Sequence, residues 1–200
     1  MGEVKIYTRK GDDGTTGLWY GGRVAKNDPR TSAYGDVDEA ISAIAVARAD
    51  ARDAYPGLHD DLLEIQRCLF IGCSQLATDP AHHDRLQPEI TLLTEPMVTA
   101  VEERIDWYKE RVDLPPKFII PGGTRLSATL DVARTVVRRA ERAVVGLQLN
   151  GGLADETVLH FLNRTSDLLF VMARFTDDSD PVVFEGRAQK ADAAKRDDEK

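Results

Sequence analysis

The stretch LDVARTVVRRAERAV, residues 130–144, decides the fold. Its apolar residues recur at spacings of three and four, the spacing of a coiled-coil seam: Leu130, Ala133, Val137, Ala140 and Val144. The pattern predicts a long α-helix over 127–149, ended by the Asn-Gly-Gly turn that follows it. A helix with one apolar stripe buries that stripe against other helices, so this segment predicts a helical bundle.

Four further segments show helical periodicity, and Gly, Pro or polar loops separate them. They predict helices over 31–51, 59–77, 94–108 and 155–174, the first capped by Thr31 or Ser32. A short strand is predicted at Val4–Tyr7. The fold class is therefore all-α: an up-and-down bundle of about five helices over 31–175, preceded by a Gly-rich segment over 1–30. We expect one domain over 1–186 and a disordered charged tail over 187–200.

Composition narrows the function. The chain has 200 residues, 42% of them hydrophobic, and a net charge of −8. An acidic chain is not typical of a nucleic-acid-binding protein, and no apolar run approaches the ~18 residues that span a membrane. The N-terminal stretch lacks the apolar core of a secretory signal, so we expect a cytoplasmic protein.

Metal and thiol chemistry are not indicated. Cys68 and Cys73 form no CxxC pair, and both fall within one helical pattern, which favours buried structural thiols. A di-iron bundle would need Glu-x-x-His on two helices, and no such motif occurs. His82 and His83 lie in a polar loop. A ferritin-like metal protein is therefore excluded, and we predict no transition-metal site.

An arginine-rich strip stands out on this acidic chain. Residues 125–142 contain five arginines but only two acidic residues. The arginines are Arg125, Arg134, Arg138, Arg139 and Arg142, and the acidic residues are Asp131 and Glu141. Arg134, Arg138 and Glu141 share one helical face. The strip is either a solvated, salt-bridged surface or a set of guanidinium groups that bind phosphate oxygens.

Two other helices carry polar residues near their apolar stripes. In FLNRTSDLLF, Asn163 and Asp167 lie on one face with Ser166 beside them, which indicates either a helix-to-helix hydrogen bond or a ligand contact. In YGDVDEA, Asp38 is predicted to lie near the buried stripe, where a carboxylate requires an arginine. The arginine-rich helix is a candidate source.

The segment GDDGTTG, residues 11–17, is too rich in glycine for a helix. It lacks the lysine of a Walker A loop, so it is either a surface turn or a loop whose backbone approaches a ligand. Basic residues before it, two threonines inside it and Lys26 after it would together suit a polyphosphate.

The order of these motifs resembles the PduO-type ATP:cob(I)alamin adenosyltransferases. IYTRKGDDGTTGL, AYGDVDEA, FIIPGGT, ARTVVRRAER and FLNRTSDLLF carry the resemblance, which extends over about residues 5–175. It implies a homotrimer with active sites between subunits, and transfer of the 5′-deoxyadenosyl group of ATP to the cobalt of cob(I)alamin. A cobalamin reductase and an adenosylcobalamin-dependent mutase are the partners it implies.

The resemblance also implies site residues. The ATP site falls on Thr8, Arg9, Lys10, Gly11, Thr16, Gly17, Lys26, Arg138, Arg139, Glu141, Arg142 and Asn163. Asp38 and Arg134 correspond to an ion pair between helices, placed across the subunit interface. Phe118 corresponds to the corrinoid-facing phenylalanine, where an apolar side chain would exclude the axial cobalt ligand. Arg138, Lys26 and Mg²⁺ would stabilise the leaving triphosphate.

The sequence departs from the family pattern at three places. Asp131 stands where the family commonly has histidine, and is expected to weaken or redirect the arginine cluster. Thr165 replaces a leucine, and Asp12-Asp13 replaces an acidic-then-basic pair. Two alternatives stay open at this point: a nucleotide or cobalamin sensor without turnover, and a helical scaffold that binds an acidic partner.

Overall fold

The computed structural model describes residues 6–177 and 181–186. Its helices are α1 (Pro29–Ala51), α2 (Pro56–Leu76), α3 (Glu95–Lys109), α4 (Arg125–Leu149) and α5 (Thr157–Phe175), with a 3-10 turn at Pro80–Arg85. Two short strands, β1 (Thr15–Gly17) and β2 (Arg23–Ala25), form an antiparallel hairpin before α1. The all-α prediction is confirmed, although the hairpin was not predicted. The predicted tail 187–200 and residues 4–5 of the strand candidate lie outside the described residues, and Ile6 and Tyr7 are not in a strand.

Consecutive helices run in opposite directions. Between α1 and α2, the Gln66 side chain donates to the Ile41 carbonyl, and His59 contacts the Arg48 carbonyl. Residue numbers therefore rise along α2 where they fall along α1, so these two helices are antiparallel. α1 packs between α2 and α4, and α5 packs between α4 and α3. The up-and-down topology is therefore the one that the sequence predicts.

The seam of α4 forms the centre of the bundle. All five seam residues have no exposed surface: Leu130, Ala133, Val137, Ala140 and Val144. They pack with fully buried residues of α1 and α5, including Val37 and Phe161. The helical spacing of the sequence thus identifies the buried face of α4 correctly.

Three helices begin earlier than predicted: α4 begins at Arg125, capped by Thr124, and α1 and α2 each begin at a proline. α1 begins at Pro29, where the Asp28 side chain accepts a hydrogen bond from the Arg30 amide, rather than at Thr31 or Ser32. α2 begins at Pro56 rather than at residue 59. Proline is favourable in the first helical turn because its missing N–H has no partner there in any case.

A buried arginine fixes the end of the bundle from which the hairpin emerges. The Arg30 guanidinium donates to the carbonyls of Leu76, Thr78 and Gly152 at 2.9, 2.8 and 2.6 Å. These carbonyls lie at the C-terminal end of α2 and in the turn after α4, where backbone oxygens lack helical partners. The Trp19 amide donates to the nearby Ala77 carbonyl at 2.9 Å, so the hairpin is attached to the end of α2.

Candidate active site

The GDDGTTG segment forms an ordered turn that leads into β1. The Asp13 carboxylate accepts hydrogen bonds from the backbone amide and the hydroxyl of Thr15, at 2.9 and 2.8 Å. These two hydrogen bonds lower the pKa of Asp13, and the bond from the Thr15 backbone amide has the larger effect. Gly14 has φ 81°, a left-handed conformation that glycine adopts without strain.

Two of the predicted ATP residues are brought together at this turn. The Lys26 Nζ atom lies 3.3 Å from the position that a Cβ on Gly11 would occupy, so the ammonium group sits over bare backbone. The Lys26 amide also donates to the Gly14 carbonyl at 2.9 Å. The preceding residues Thr8, Arg9 and Lys10 are exposed. This side of the site therefore presents a lysine and an accessible loop backbone.

The arginines of α4 have different surroundings. Arg139 forms an ion pair with Glu39 of α1, so the salt-bridged interpretation of the strip applies to this residue. Arg142 donates to the Arg138 carbonyl at 2.9 Å. Arg138 is exposed, and no carboxylate within residues 6–177 or 181–186 comes within 4.0 Å of its guanidinium. Arg138 is thus available for an anionic ligand.

The helix-to-helix hydrogen bond expected for α5 is present. The Asn163 Nδ2 atom donates to Glu141 Oε1 at 2.9 Å, and Arg164 donates to the Asn163 amide oxygen at 2.7 Å. Both Asn163 and Glu141 remain partly exposed. Asp167 pairs with Arg164 at 3.0 Å. Asn163 and Glu141 therefore lie side by side, on the face of α4 that also carries Arg138.

The structure corrects the predicted surroundings of Asp38. Its side chain is exposed, not buried with the stripe, because it lies 100° around α1 from the buried Val37. Its charge contributes to raising the pKa of Cys73 on α2, after the larger effect of burial. Within one chain, Arg134 pairs with Asp131 at 2.9 Å. The pairing of Asp38 with Arg134 across a subunit interface stays a prediction.

Asp131, the departure from the family pattern, belongs to a buried ionic cluster. Its second oxygen accepts a hydrogen bond from Arg174 Nη2 at 2.7 Å, and Arg174 Nε lies 2.9 Å from Asp177 Oδ2. The side chains of Arg174, Asp131 and Asp177 are 4%, 5% and 8% exposed. A Cβ on Gly123 would collide with the Asp177 carboxylate. The cluster therefore joins α4, the end of α5 and the loop that carries Phe118.

Phe118 lies on an exposed apolar face. The Ile120 amide donates to the Val182 carbonyl and the Phe184 amide to the Phe118 carbonyl, both at 2.7 Å, as in an antiparallel strand pair. Because side chains alternate along such a pair, Phe118, Ile120, Val182 and Phe184 share one side. All four are exposed, Phe118 by 84%. Val182 and Phe184 are not among the residues predicted from the sequence, although PVVF after α5 is an apolar run.

The two halves of the predicted ATP site are far apart within one chain. Asp28 caps the start of α1, next to the hairpin, whereas Glu39, which pairs with Arg139, lies eleven residues along the same helix. At 1.5 Å per residue, this separation is about 16 Å along the helix axis. The hairpin is attached to α2, and α4 packs on a different side of α1.

Both cysteines lie in α2 and are free thiols. Burial is the main cause that raises the pKa of Cys68 to about 11 and that of Cys73 to about 12, so neither thiol is activated. His83 Nε2 lies 2.9 Å from an oxygen of Asp155, a partly buried contact between the 3-10 turn and the loop before α5. Over residues 6–177 and 181–186, no three His, Cys, Asp or Glu side chains cluster as metal ligands, and no helix is long and apolar enough to cross a membrane.

Known proteins are similar to this chain in sequence and in fold. The family sequence model described as cobalamin adenosyltransferase matches residues 6–176. The chain is 42% identical over 174 residues to a corrinoid adenosyltransferase of Bacillus subtilis, covering 86% of both chains, and 40% identical over 178 residues to one of Citrobacter freundii, covering 89% of this chain and 98% of the other.

A solved structure extends the likeness to three dimensions. It is a Phe-to-His variant of the PduO-type ATP:corrinoid adenosyltransferase from Lactobacillus reuteri, complexed with cobalamin and ATP. It superposes with a TM-score of 0.83 at 37% identity, covering 91% of this chain and 97% of the other. Since the family model spans nearly all of the described helices, the chain belongs to the cobalamin adenosyltransferase family.

Proposed function

We propose that this chain transfers the 5′-deoxyadenosyl group of ATP to the cobalt of cob(I)alamin and releases triphosphate. The observation that carries the proposal is the arrangement on α4 and α5. Arg138 is exposed without a carboxylate partner among the described residues, beside the Glu141–Asn163 bond. Such a guanidinium suits a triphosphate, because it offers a planar set of donors to phosphate oxygens. The family supplies the reaction class.

The chemistry requires charge stabilisation rather than proton transfer. The electron pair of Co(I) attacks C5′ of the ribose, a Co–C bond forms, and the bond from C5′ to the bridging oxygen breaks. The negative charge of the leaving group then develops on triphosphate. Arg138 from α4 and Lys26 from the hairpin would stabilise this charge. No general base is needed, because no proton is removed.

Mg²⁺ would enter with the nucleotide. We expect phosphate oxygens and water to be its main ligands, since Mg²⁺ keeps several waters in nucleotide sites. Glu141 is the carboxylate beside Arg138, and its Oε1 atom is already bonded to Asn163, so its other oxygen would face the ion. When bound, the ion would supply further neutralisation of the triphosphate.

The exposed apolar face around Phe118 would receive the corrin ring. Four large apolar side chains on one side of a strand pair are an unusual solvent-exposed feature for a protein of this size. Placed under the cobalt, Phe118 would exclude the axial ligand of Co(II), which favours reduction to Co(I). Val182 and Phe184 would extend the same apolar surface.

Replacing Phe118 with alanine should separate the two halves of the reaction. We expect turnover that starts from Co(II) and a reductant to fall about tenfold or more, while the dissociation constant of ATP stays within twofold. Turnover from chemically prepared Co(I) should suffer less. Parallel spectrophotometric assays from both cobalt states, with calorimetry of ATP binding, make the comparison; equal losses in every assay would contradict this role.

We further propose that the active site forms between the subunits of a homotrimer. The separation of about 16 Å between the hairpin base and the level of Arg139 supports this arrangement, since two subunits can bring these elements together. The exposed side chain of Asp38 would then pair with Arg134 of a neighbour. A closed ring joins two different surfaces of each subunit, as this pairing would.

A charge reversal tests the interface. Asp38→Lys places a cation against the arginine strip, so we expect a trimer to dissociate and adenosyl transfer to be lost. Asp53→Lys makes the same change of charge at an exposed position in the turn after α1 and should leave the trimer intact. Light scattering coupled to gel filtration gives the mass. A trimer that survives Asp38→Lys would refute the pairing.

The reaction places the chain between two other activities. Co(I) does not persist without a reducing partner, so a cobalamin reductase would supply the substrate. The adenosylated product is a cofactor for radical chemistry, and an adenosylcobalamin-dependent mutase is the proposed recipient.

An anaerobic assay of the purified chain tests the proposed function directly. Cobalamin is reduced chemically to Co(I), ATP and Mg²⁺ are added, and the visible spectrum is followed. ATP-dependent formation of a light-sensitive adenosyl product is the expected result. ATP binding without conversion would indicate a sensor, and the absence of ATP binding would favour a scaffold that binds an acidic partner.

A further inference from the structure

Arg23 on β2 makes several contacts with the candidate ATP loop, residues 10–15, although it lies outside the motifs identified in the sequence. Its guanidinium Nη2 donates to the Lys10 carbonyl at 2.6 Å, and its Nε donates to the Thr15 hydroxyl at 2.9 Å. It also lies 3.6 Å from the Asp13 carboxylate. One side chain thus holds the loop at both of its ends.

The segment that Arg23 holds has an unfavourable backbone conformation. Arg9 has φ 59°, which residues with a Cβ adopt infrequently. The Asp12 amide donates to the Arg9 carbonyl at 3.3 Å, so Lys10 lies inside a turn. A conformation of this kind persists only when its surroundings enforce it. The bond from Arg23 to the Lys10 carbonyl is such an enforcing contact.

The same contacts distinguish the two threonines of the loop. The Thr15 hydroxyl is committed to Arg23 and Asp13. Within the described part of the chain, the Thr16 hydroxyl makes no hydrogen bond to another side chain, and Thr16 is one of the predicted ATP residues. Thr15 therefore shapes the loop, whereas Thr16 stays available to a ligand.

We infer that Arg23 is a positioning residue of the ATP loop, which sets the Lys10–Thr15 backbone before the triphosphate arrives and does not itself bind phosphate. The inference rests on the proposed function, because it assumes that this loop receives ATP. Its physical basis is preorganisation: a loop that is already ordered loses less conformational entropy on binding.

A double-mutant cycle on ATP affinity tests the inference. We expect Arg23→Ala to raise the dissociation constant of ATP about tenfold, with the corrinoid KM and the kcat at saturating ATP within twofold of wild type. Thr15→Val should have a similar effect. The dissociation constant of ATP for the double variant should be at most about twice that of the single variant with the larger constant. The effects do not multiply because both changes remove one shared contact. Arg23→Lys should recover little, since an ammonium group cannot reproduce the fork of donors.

The outcomes separate the possible roles. Multiplied effects, about 100-fold in the double variant, would make Arg23 a direct phosphate ligand and overturn the inference, as would an Arg23→Ala affinity within twofold of wild type. Arg67→Ala, a surface ion-pair change on α2, is the matched control. ATP binding without turnover in wild type would refute only the proposed function, and no ATP binding would refute both.

Discussion

Replacing Arg138 with alanine is expected to lower the kcat of adenosyl transfer about 100-fold or more. Arg138 is exposed and lacks a carboxylate partner among the described residues, so its removal should not destabilise the fold. The lower kcat would instead reflect lost stabilisation of the charge on the leaving triphosphate. Removing one preorganised donor to a developing charge costs on the order of 100- to 1000-fold in comparable sites. Steady-state kinetics from chemically reduced Co(I), with ATP varied, measure the effect.

Two comparisons make the Arg138 result specific. The thermal unfolding midpoint of Arg138→Ala should match that of wild type within about 2 °C. The corrinoid KM should not change, because the proposed contact of the guanidinium is with the triphosphate and not with the corrin ring. Arg67→Ala removes an exposed arginine of α2 and should keep full activity. An Arg138→Ala enzyme within threefold of wild type would remove this residue from the mechanism.

The sequence predicts the bundle because helical structure is local. The five buried residues of the α4 seam follow from spacing alone, since residues three and four apart lie on one face of a helix. The bond between Asn163 and Glu141 is also foreseeable in kind, because a polar residue on an apolar helix requires a partner. Which residue supplies that partner depends on how two helices are rotated against each other.

The features that the sequence does not reveal depend on contacts between distant segments. Arg30 is buried because carbonyls of Leu76 and Gly152 meet it, 46 and 122 residues away. Asp38 is one helical step from Val37, and a rotation of 100° decides between burial and exposure. Phe184 lies beside Phe118 because a backbone hydrogen bond joins a segment before α4 to one after α5. Spacing within one segment contains none of this information.

Replacing Arg174 with methionine is expected to lower the free energy of unfolding by about 3–5 kcal/mol. The side chain lies between Asp131 and Asp177, and all three are nearly inaccessible to solvent. Methionine fills much of the volume but leaves the buried Asp177 without its cation and the buried Asp131 with Arg134 alone. Removing one partner is the costly way to break a buried ion pair. For a chain of this size, the unfolding midpoint should fall by about 10 °C. Chemical and thermal denaturation measure both quantities.

The physical cause can be isolated by removing the carboxylates as well. If uncompensated charge is responsible, adding Asp131→Asn and Asp177→Asn to Arg174→Met should restore at least half of the lost stability, because neutral amides are far less costly to bury than carboxylates that have lost a cation. Arg134 loses its partner in this variant, but its side chain is 25% exposed, so solvent still reaches it. Arg67→Met, in a pair with 66% and 63% exposed side chains, should cost about 0.5 kcal/mol or less. If the triple variant is less stable than Arg174→Met alone, the loss comes from missing packing and hydrogen bonds, and the ionic account of this cluster is wrong. Restored stability would instead explain how aspartate is accommodated at position 131: Arg174 neutralises it from α5, while the same carboxylate holds Arg134 in place on α4.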